Sequence, residues 1–371
     1  MKNAFKKEEN PANFHRFSEL DALRGIAALM VVFFHFSTVR INPGKVFLWG
    51  RAGVDMFFVI SGFVIFMSIN KANNINQFAF SRFSRLFPAY WFSVTLTALI
   101  QIIALKLNFV HSTTTNITWL KYLTNLTMFQ TYFGYSHIDQ PYWTLLIEML
   151  FYIGIALLLK FNKIKNIFNI GILILFIVFI NDCLGHIFST WPAKQIIFLF
   201  PILNYISLFF AGILFYKIVT EPKNKVRFYI TILLCFLVQI KIYYTILSPL
   251  NVSKLPQYGL NFIQYTIVLA LIFGVFILFV NKKLIFIINK PMLFFGKISF
   301  SLYLIHQYIG ANIIMPGLER IMHLPIFISF LVALVVVIYI AYLINKYIEI
   351  PAGKFLKAKF QKKSLLITAN A

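Results

Sequence analysis

Apolar stretches of about twenty residues recur along nearly the whole chain, and this recurrence narrows the possible folds more than any other feature. A helix of that length spans the hydrocarbon core of a bilayer, where every backbone polar group must be satisfied within the segment. The chain therefore reads as an all-α polytopic membrane protein with about ten transmembrane helices, expected over 20–39, 50–69, 82–106, 141–160, 167–184, 196–219, 228–247, 261–280, 297–316 and 324–346. Composition agrees, since only 12% of residues are charged, about half the share in a soluble domain. A β-barrel is excluded, because its strands would be short and alternating. Segment 117–135 is aromatic but interrupted by Thr, Asn and Gln, and is expected as an interfacial or re-entrant piece of a long loop.

The net charge of +23 would suggest a nucleic-acid partner in a soluble protein. Here the Lys and Arg residues lie between apolar segments, so they report membrane topology and no nucleic acid is expected. With the N-terminus in the cytoplasm, the inner loops carry Lys160, Lys163 and Lys165, then Lys217, Lys223, Lys225 and Arg227, then Lys282, Lys283, Lys290 and Lys297. The outer loops after the first carry few. Both termini are therefore expected in the cytoplasm, with Arg40, Lys45 and Arg51 of the first outer loop as the exception. The expected organisation is a cytoplasmic N-terminal segment (1–19), one transmembrane domain (20–350) and a basic cytoplasmic tail (351–371). No signal-peptide core precedes the first span. Cys183 and Cys235 both fall in apolar segments, and neither a disulfide framework nor metal-ligand spacing is visible, so no metal is expected.

Ionisable residues at mid-bilayer cost about 2.5–3.5 kcal/mol each and need a reason. The first span contains "RGIAALMVVFFH", with Arg24 near its cytoplasmic end and His35 eleven residues on. Eleven residues bring a helix back to within about 20° of the starting direction and rise roughly 16 Å. Arg24 and His35 therefore share a face at two depths, an arrangement suited to a ligand with a charged head and a reactive end. The structural alternative is a snorkelling arginine and a histidine bonded to a neighbouring helix. Arg82 and Arg85, three apart in "SRFSRLFPAY", form a fork-shaped pair suited to phosphate. Pro88, a turn later, is expected to kink or loosen that helix.

Further on, "PYWTLLIEMLFY" carries Thr144, Glu148 and Tyr152 as a polar stripe, and a buried Glu148 needs a partner. "GKISFSLYLIHQYIG" aligns Ser299, Tyr303, His306 and Gly310 on one face, with His306 near mid-membrane. Asp55 is expected as a cap at the outer interface or bonded to neighbouring backbone, and Ser61-Gly62 as a point of close helix approach. Tyr142 and Trp143 are expected in the outer aromatic belt. Arginines thus gather at one membrane face, and two histidines and a glutamate deeper, where histidine can accept and return a proton near neutral pH.

These residues fall in ordered blocks that resemble the acyltransferase-3 family of integral membrane acyltransferases, which includes O-acetyltransferases of bacterial surface polysaccharides. The blocks are "LDALRGIAALMVVFFH", "GVDMFFVISGF", "RFSRLFPAY", "WTLLIEMLFY" and "GKISFSLYLIH", spread from Leu20 to His306. The family's arginine-x10-histidine motif falls on Arg24 and His35, its R-x-x-R motif on Arg82 and Arg85, and its W-S-L-x-x-E motif on Trp143, Thr144, Leu145 and Glu148. Ala22 and Thr144 depart from the residues common in the family, Gly and Ser. The resemblance implies ten core helices, an acyl-CoA donor (commonly acetyl-CoA) and a hydroxyl acceptor on a glycan, a lipid-linked sugar or a small molecule. On that footing Arg24, Arg82 and Arg85 are expected to bind the donor phosphates. His35 is expected to act as general base or transient acyl carrier, Glu148 to orient a histidine or help place the acceptor, and His306 to be a second catalytic residue. Some relatives add an esterase-like domain; this chain reads as the stand-alone form, in the cytoplasmic (inner) membrane of a bacterium. The rival from another class is a proton-coupled secondary transporter, which the one-sided arginines and the absence of a sequence repeat disfavour.

Overall fold

A computed structural model describes residues 17–40, 47–69, 74–107, 109, 117–187, 192–247 and 259–369. Most of the expected N-terminal segment (1–16) and Lys45 lie outside the described residues. Every regular element among those described is helical: α1 (Ser18–Arg40), α2 (Gly53–Ile69), α3 (Ile75–Lys106), α4 (Trp119–Leu126), α5 (Trp143–Lys160), α6 (Ile167–Ile187), α7 (Ala193–Leu199), α8 (Ile206–Thr220), α9 (Lys225–Leu247), α10 (Phe262–Val280), α11 (Lys290–Ile305), α12 (Met315–Ile321), α13 (Ile326–Ile344) and α14 (Ile350–Ala369). π-helical segments join α11 to α12 (His306–Ile314) and α13 to α14 (Asn345–Glu349). Among the described residues nine helical stretches are long and apolar enough to cross a membrane, and α8 is a shorter apolar helix. The chain is an all-α polytopic membrane protein.

Glycines set the core. A Cβ on Gly25 would lie 2.7 Å from the Gly296 nitrogen, and one on Gly296 would lie 2.0 Å from the Asp21 carbonyl oxygen, so α1 and α11 touch backbone to backbone. Farther along, Gly310 meets Phe36, so the two helices ascend in the same direction. On the other side, Gly62 meets the Phe209 carbonyl and Gly212 the Val59 carbonyl, locking α2 against α8. Small residues are the usual means of close approach in lipid, where no hydrophobic force drives helices together.

Three boundaries differ from the sequence expectations. The span expected at 82–106 starts at Ile75, where the Asn74 side chain accepts from the Gln77 nitrogen at 2.9 Å, and α3 continues through Pro88. Arg82 and Arg85 therefore lie about two and about three turns inside a helix. The single span expected at 196–219 is broken into α7, a 3-10 turn (Pro201–Asn204) and α8. Pro201 lacks the N–H that would continue the ladder, and its ring disfavours it. Helix α8 can be short because it lies inside the bundle, buried from Ser207 to Ile218. The stretch expected as a basic tail continues from α13 as α14, which packs against α3.

Segment 117–135 holds only the short α4 and a 3-10 turn (Gln130–Phe133). It is fastened to α3 by the Tyr90 hydroxyl donating to the Asn125 carbonyl (2.6 Å), Trp91 Nε1 to the Leu126 carbonyl (2.9 Å) and Gln101 Nε2 to the Ile138 carbonyl (2.6 Å). The loop ends at Asp139, a buried carboxylate that accepts from the Tyr308 nitrogen at 3.1 Å and so ties the loop to the π-helical segment. Burial pushes the Asp139 carboxyl up to about 7, against the pull of the Tyr308 and Gln140 backbone donors.

Candidate active site

The glycine contact between α1 and α11 also aligns two catalytic candidates. His35 is ten residues beyond Gly25, and His306 ten beyond Gly296. Two parallel helices in contact at those glycines rise together by about 15 Å over ten residues. The imidazoles accordingly meet, with ring centroids 5.1 Å apart and planes inclined at 48°. His306 is fully buried, and its Nδ1 donates to the Tyr303 carbonyl at 2.8 Å. A carbonyl can only accept, so Nδ1 carries the proton and neutral His306 keeps a bare Nε2. That Nε2 is buried with no hydrogen-bond partner. The π-helical segment begins at this residue, a geometry common at functional sites because it re-aims side chains within a helix.

A cleft lies between α1, α2, α3, α5 and α11. Arg24, Arg85, Ser61, Glu148 and Tyr152 supply most of its polar lining, and Thr144, Ser299 and Tyr303 the rest. Tyr303 joins the cleft to the histidines: its ring lies 5.5 Å from that of His306 between centroids. Its hydroxyl meets Thr144 Oγ1 at 2.9 Å and donates to the Pro141 carbonyl at 3.2 Å.

Glu148 projects from α5 on the stripe read from the sequence. Its Oε1 accepts from Ser61 Oγ of α2 at 3.2 Å and from the Tyr152 hydroxyl one turn on. Neither histidine is among its hydrogen-bond partners; its charged neighbours are Arg24 and Arg82. Arg24 stands 4.0 Å from Asp21 and feels Glu349 of the second π-helical segment. Glu349 is itself held by Ser301 Oγ (2.7 Å) and Asn345 Nδ2 (2.9 Å). Arg82 does not line the cleft. Its Nη2 donates weakly to Ser81 Oγ (3.3 Å), while Nε and Nη1 are buried and unpartnered.

The site therefore brings Arg24, Arg85 and Glu148 into one cleft, sets Arg82 beside it, and pairs His35 with His306 behind Tyr303. Two expectations need correction. Tyr142 is fully buried and donates to the Leu304 carbonyl at 3.1 Å, so it is a core residue and not part of an aromatic belt. Trp143 packs on Phe58 and Tyr205 within the bundle. Asp55 lies buried in the first turn of α2, with Arg51 and Tyr265 of α10 as its electrostatic neighbours. Two further residues were read otherwise in the sequence. Ser61 is small enough for close helix approach, but its hydroxyl in the middle of an apolar helix is itself a signal. Arg51, an exception to the lysine bias, lies close enough to His35 to act on it electrostatically.

Residues 17–346 match the family described as an acyltransferase domain. The chain is 25% identical over 287 residues to ORF330 of Acidianus two-tailed virus, whose name carries the word acetyltransferase; the match covers 76% of this chain and 80% of the viral one. It is 30% identical over 166 residues to nodulation protein 10 of Rhizobium leguminosarum bv. viciae, covering 39% of this chain and 45% of that one. It is 26% identical over 328 residues to the O-acetyltransferase OatA of Staphylococcus aureus, covering 81% of this chain and 52% of OatA. The chain thus spans about half the length of the Rhizobium and Staphylococcus relatives. No solved structure gives a significant match. With the family match running through every helix that builds the cleft, the chain belongs to the acyltransferase-3 family of membrane acyltransferases.

Proposed function

We propose that this protein is a membrane O-acetyltransferase that moves an acetyl group from cytoplasmic acetyl-CoA to a hydroxyl of a cell-surface glycan, a lipid-linked sugar or a related acceptor. The observation that carries this reading is the layout of one cleft: guanidinium groups at one end, and at the other a tyrosine backed by a histidine whose bare Nε2 is unpartnered. Arg24 and His35 are separated by roughly 16 Å of helix, a distance suited to a phosphate head and the thioester at the end of an extended pantetheine arm. Arg24, Arg82 and Arg85 would hold the phosphates by charge-assisted hydrogen bonds.

In the reaction, His35 takes the proton of the acceptor hydroxyl as the hydroxyl oxygen attacks the thioester carbonyl carbon. The C–S bond breaks, His35 returns the proton to the departing thiolate, and free CoA and an acetyl ester result. His306 holds the second imidazole beside His35, with its proton fixed on the far nitrogen by the Tyr303 carbonyl. Glu148 balances the arginine cluster. The lysine bias read from the sequence supports a cytoplasmic (inner) membrane location with the arginine end facing the cytoplasm.

The test uses the purified protein in proteoliposomes containing acceptor glycolipid from the source cell envelope, with acetyl-labelled acetyl-CoA on the arginine side. Label in the glycan, lost on mild base treatment, is the expected result. Movement of a solute across the vesicle without acyl-CoA, and no label in any glycan, would overturn the reading in favour of a transporter.

A further inference from the structure

Helix α14 brings a further cation to the arginine pair of α3. The two helices run antiparallel and meet twice. A Cβ on Gly353 would lie 3.3 Å from the Ser84 carbonyl oxygen, and the Phe360 ring stacks on Phe80 with centroids 4.3 Å apart and planes within 13°. Lys357 is one turn beyond Gly353 and nearly one turn before Phe360, so it lies on the same face of α14, at the level of residues 81–82. Its ammonium is within electrostatic reach of both Arg82 and Arg85. Arg82 meanwhile keeps Nε and Nη1 buried and unpartnered. Its carboxylate neighbour Glu148 already accepts from Ser61 and Tyr152. Converging like charges with unused buried donors are unfavourable unless a polyanion completes them.

We propose that Lys357 binds the 3′-phosphate of the CoA donor, while Arg24 and Arg85 take its diphosphate. Arg24 and Arg85 line the cleft, nearer the histidines, and the diphosphate is the anion nearer the thioester. Lys357 is exposed and lies at the level of Arg82, which does not line the cleft, and the 3′-phosphate is the anion at the remote end of the molecule. This assignment rests on the donor reading above. The phosphate of an anionic lipid headgroup is the other source with the same chemistry.

The test compares CoA with 3′-dephospho-CoA by calorimetry, using the full-length protein in nanodiscs of zwitterionic lipid. Lys357→Ala should lose about fivefold in affinity for CoA, the equivalent of about 1 kcal/mol, and nothing for dephospho-CoA. Lys357→Arg should bind both as the parent does. An equal loss for both ligands would assign Lys357 to helix packing, and no loss for either would leave it without a role; each result overturns the proposal. A CoA affinity that responds to Lys357→Ala only in anionic nanodiscs would assign the residue to lipid and also overturn it. If the parent itself binds no CoA, the donor reading fails and this assignment with it; failure of Lys357→Ala alone leaves the donor reading standing.

Discussion

The two ends of the cleft are built on opposite principles. At the histidine end four polar groups are held by backbone: His306 by the Tyr303 carbonyl, Tyr303 by the Pro141 carbonyl, Tyr142 by the Leu304 carbonyl, and Asp139 by the Tyr308 nitrogen. At the arginine end Arg82, beside the cleft, keeps Nε and Nη1 unpartnered, and Arg24 comes no closer than 4.0 Å to Asp21. Chemistry needs groups fixed before the reaction begins, whereas charge recognition needs donors left open for a ligand. The comparison assigns preorganisation to His306 and binding capacity to the arginines.

The largest expected effect tests the preorganised end. Changing His35 to Ala should lower acetyl transfer by about 10²–10⁴-fold, the usual span of general-base catalysis, and leave CoA affinity largely intact. His35→Gln should do no better, because an amide cannot take the proton. Single-turnover transfer measured beside calorimetric CoA binding separates the two; near-parental transfer by a folded His35→Ala protein would break the comparison at its first term.

The second effect belongs to the open end. A charge-assisted contact to phosphate is worth about 1.5–3 kcal/mol, so Arg85→Ala should weaken acetyl-CoA binding about ten- to a hundredfold. The rate at saturating donor should change much less. A variant whose KM for acetyl-CoA is unchanged and whose kcat collapses would place Arg85 with the chemistry instead.

Asp139 offers a pH test of the histidine end. Its carboxyl is raised from 3.8 to about 7 by burial, so it stays protonated in the folded protein while it ionises in the unfolded chain. Below pH 4 both states are protonated and nothing is lost. Between pH 4 and 7 folding stability falls as pH rises, and above 7 the loss is complete. Asp139→Asn keeps an acceptor for the Tyr308 nitrogen and removes the ionisation. It should raise stability by about 1–3 kcal/mol at pH 8 and leave it unchanged at pH 4. His137 acts in the opposite direction: burial, then Lys121, lowers it to about 4, so acidification from pH 6.5 to 4 loosens the loop. Thermal unfolding in detergent across pH 4–8, for Asp139→Asn and the parent, reads both slopes. Parallel curves at all pH values would remove Asp139 as a titrating latch.

The smallest effect falls on Tyr303. Replacing it with Phe removes a hydroxyl bonded to Thr144 and Pro141 but keeps the carbonyl that fixes His306. About 1 kcal/mol of stability should be lost, with transfer reduced only a few-fold. A drop as deep as that of His35→Ala would mean that the hydroxyl itself meets the reacting atoms.

Much of this site was legible from helix periodicity alone. Arg24 and His35 share a face because of a spacing on one helix, and the same holds for Arg82 with Arg85 and for Thr144, Glu148 and Tyr152. The loop at 117–135 was readable from its mixture of aromatic and polar residues. Boundaries were less so: Asn74 starts α3 earlier than its apolar run suggests, and Pro201 breaks a span that hydropathy alone treats as continuous.

What the sequence by itself determined, then, is local: which segments enter the membrane and which residues share a helical face, because both follow from backbone satisfaction in lipid and from 3.6 residues per turn. What only the tertiary structure decided is who meets whom. The pairing of His35 with His306 depends on the contact of Gly25 with Gly296, and the partners of Glu148 depend on Ser61 arriving from α2. Lys357 joins the arginines through the stack of Phe360 on Phe80. Each of these joins residues far apart in the chain through close helix packing, and no periodicity within a single helix records which neighbour its face will meet.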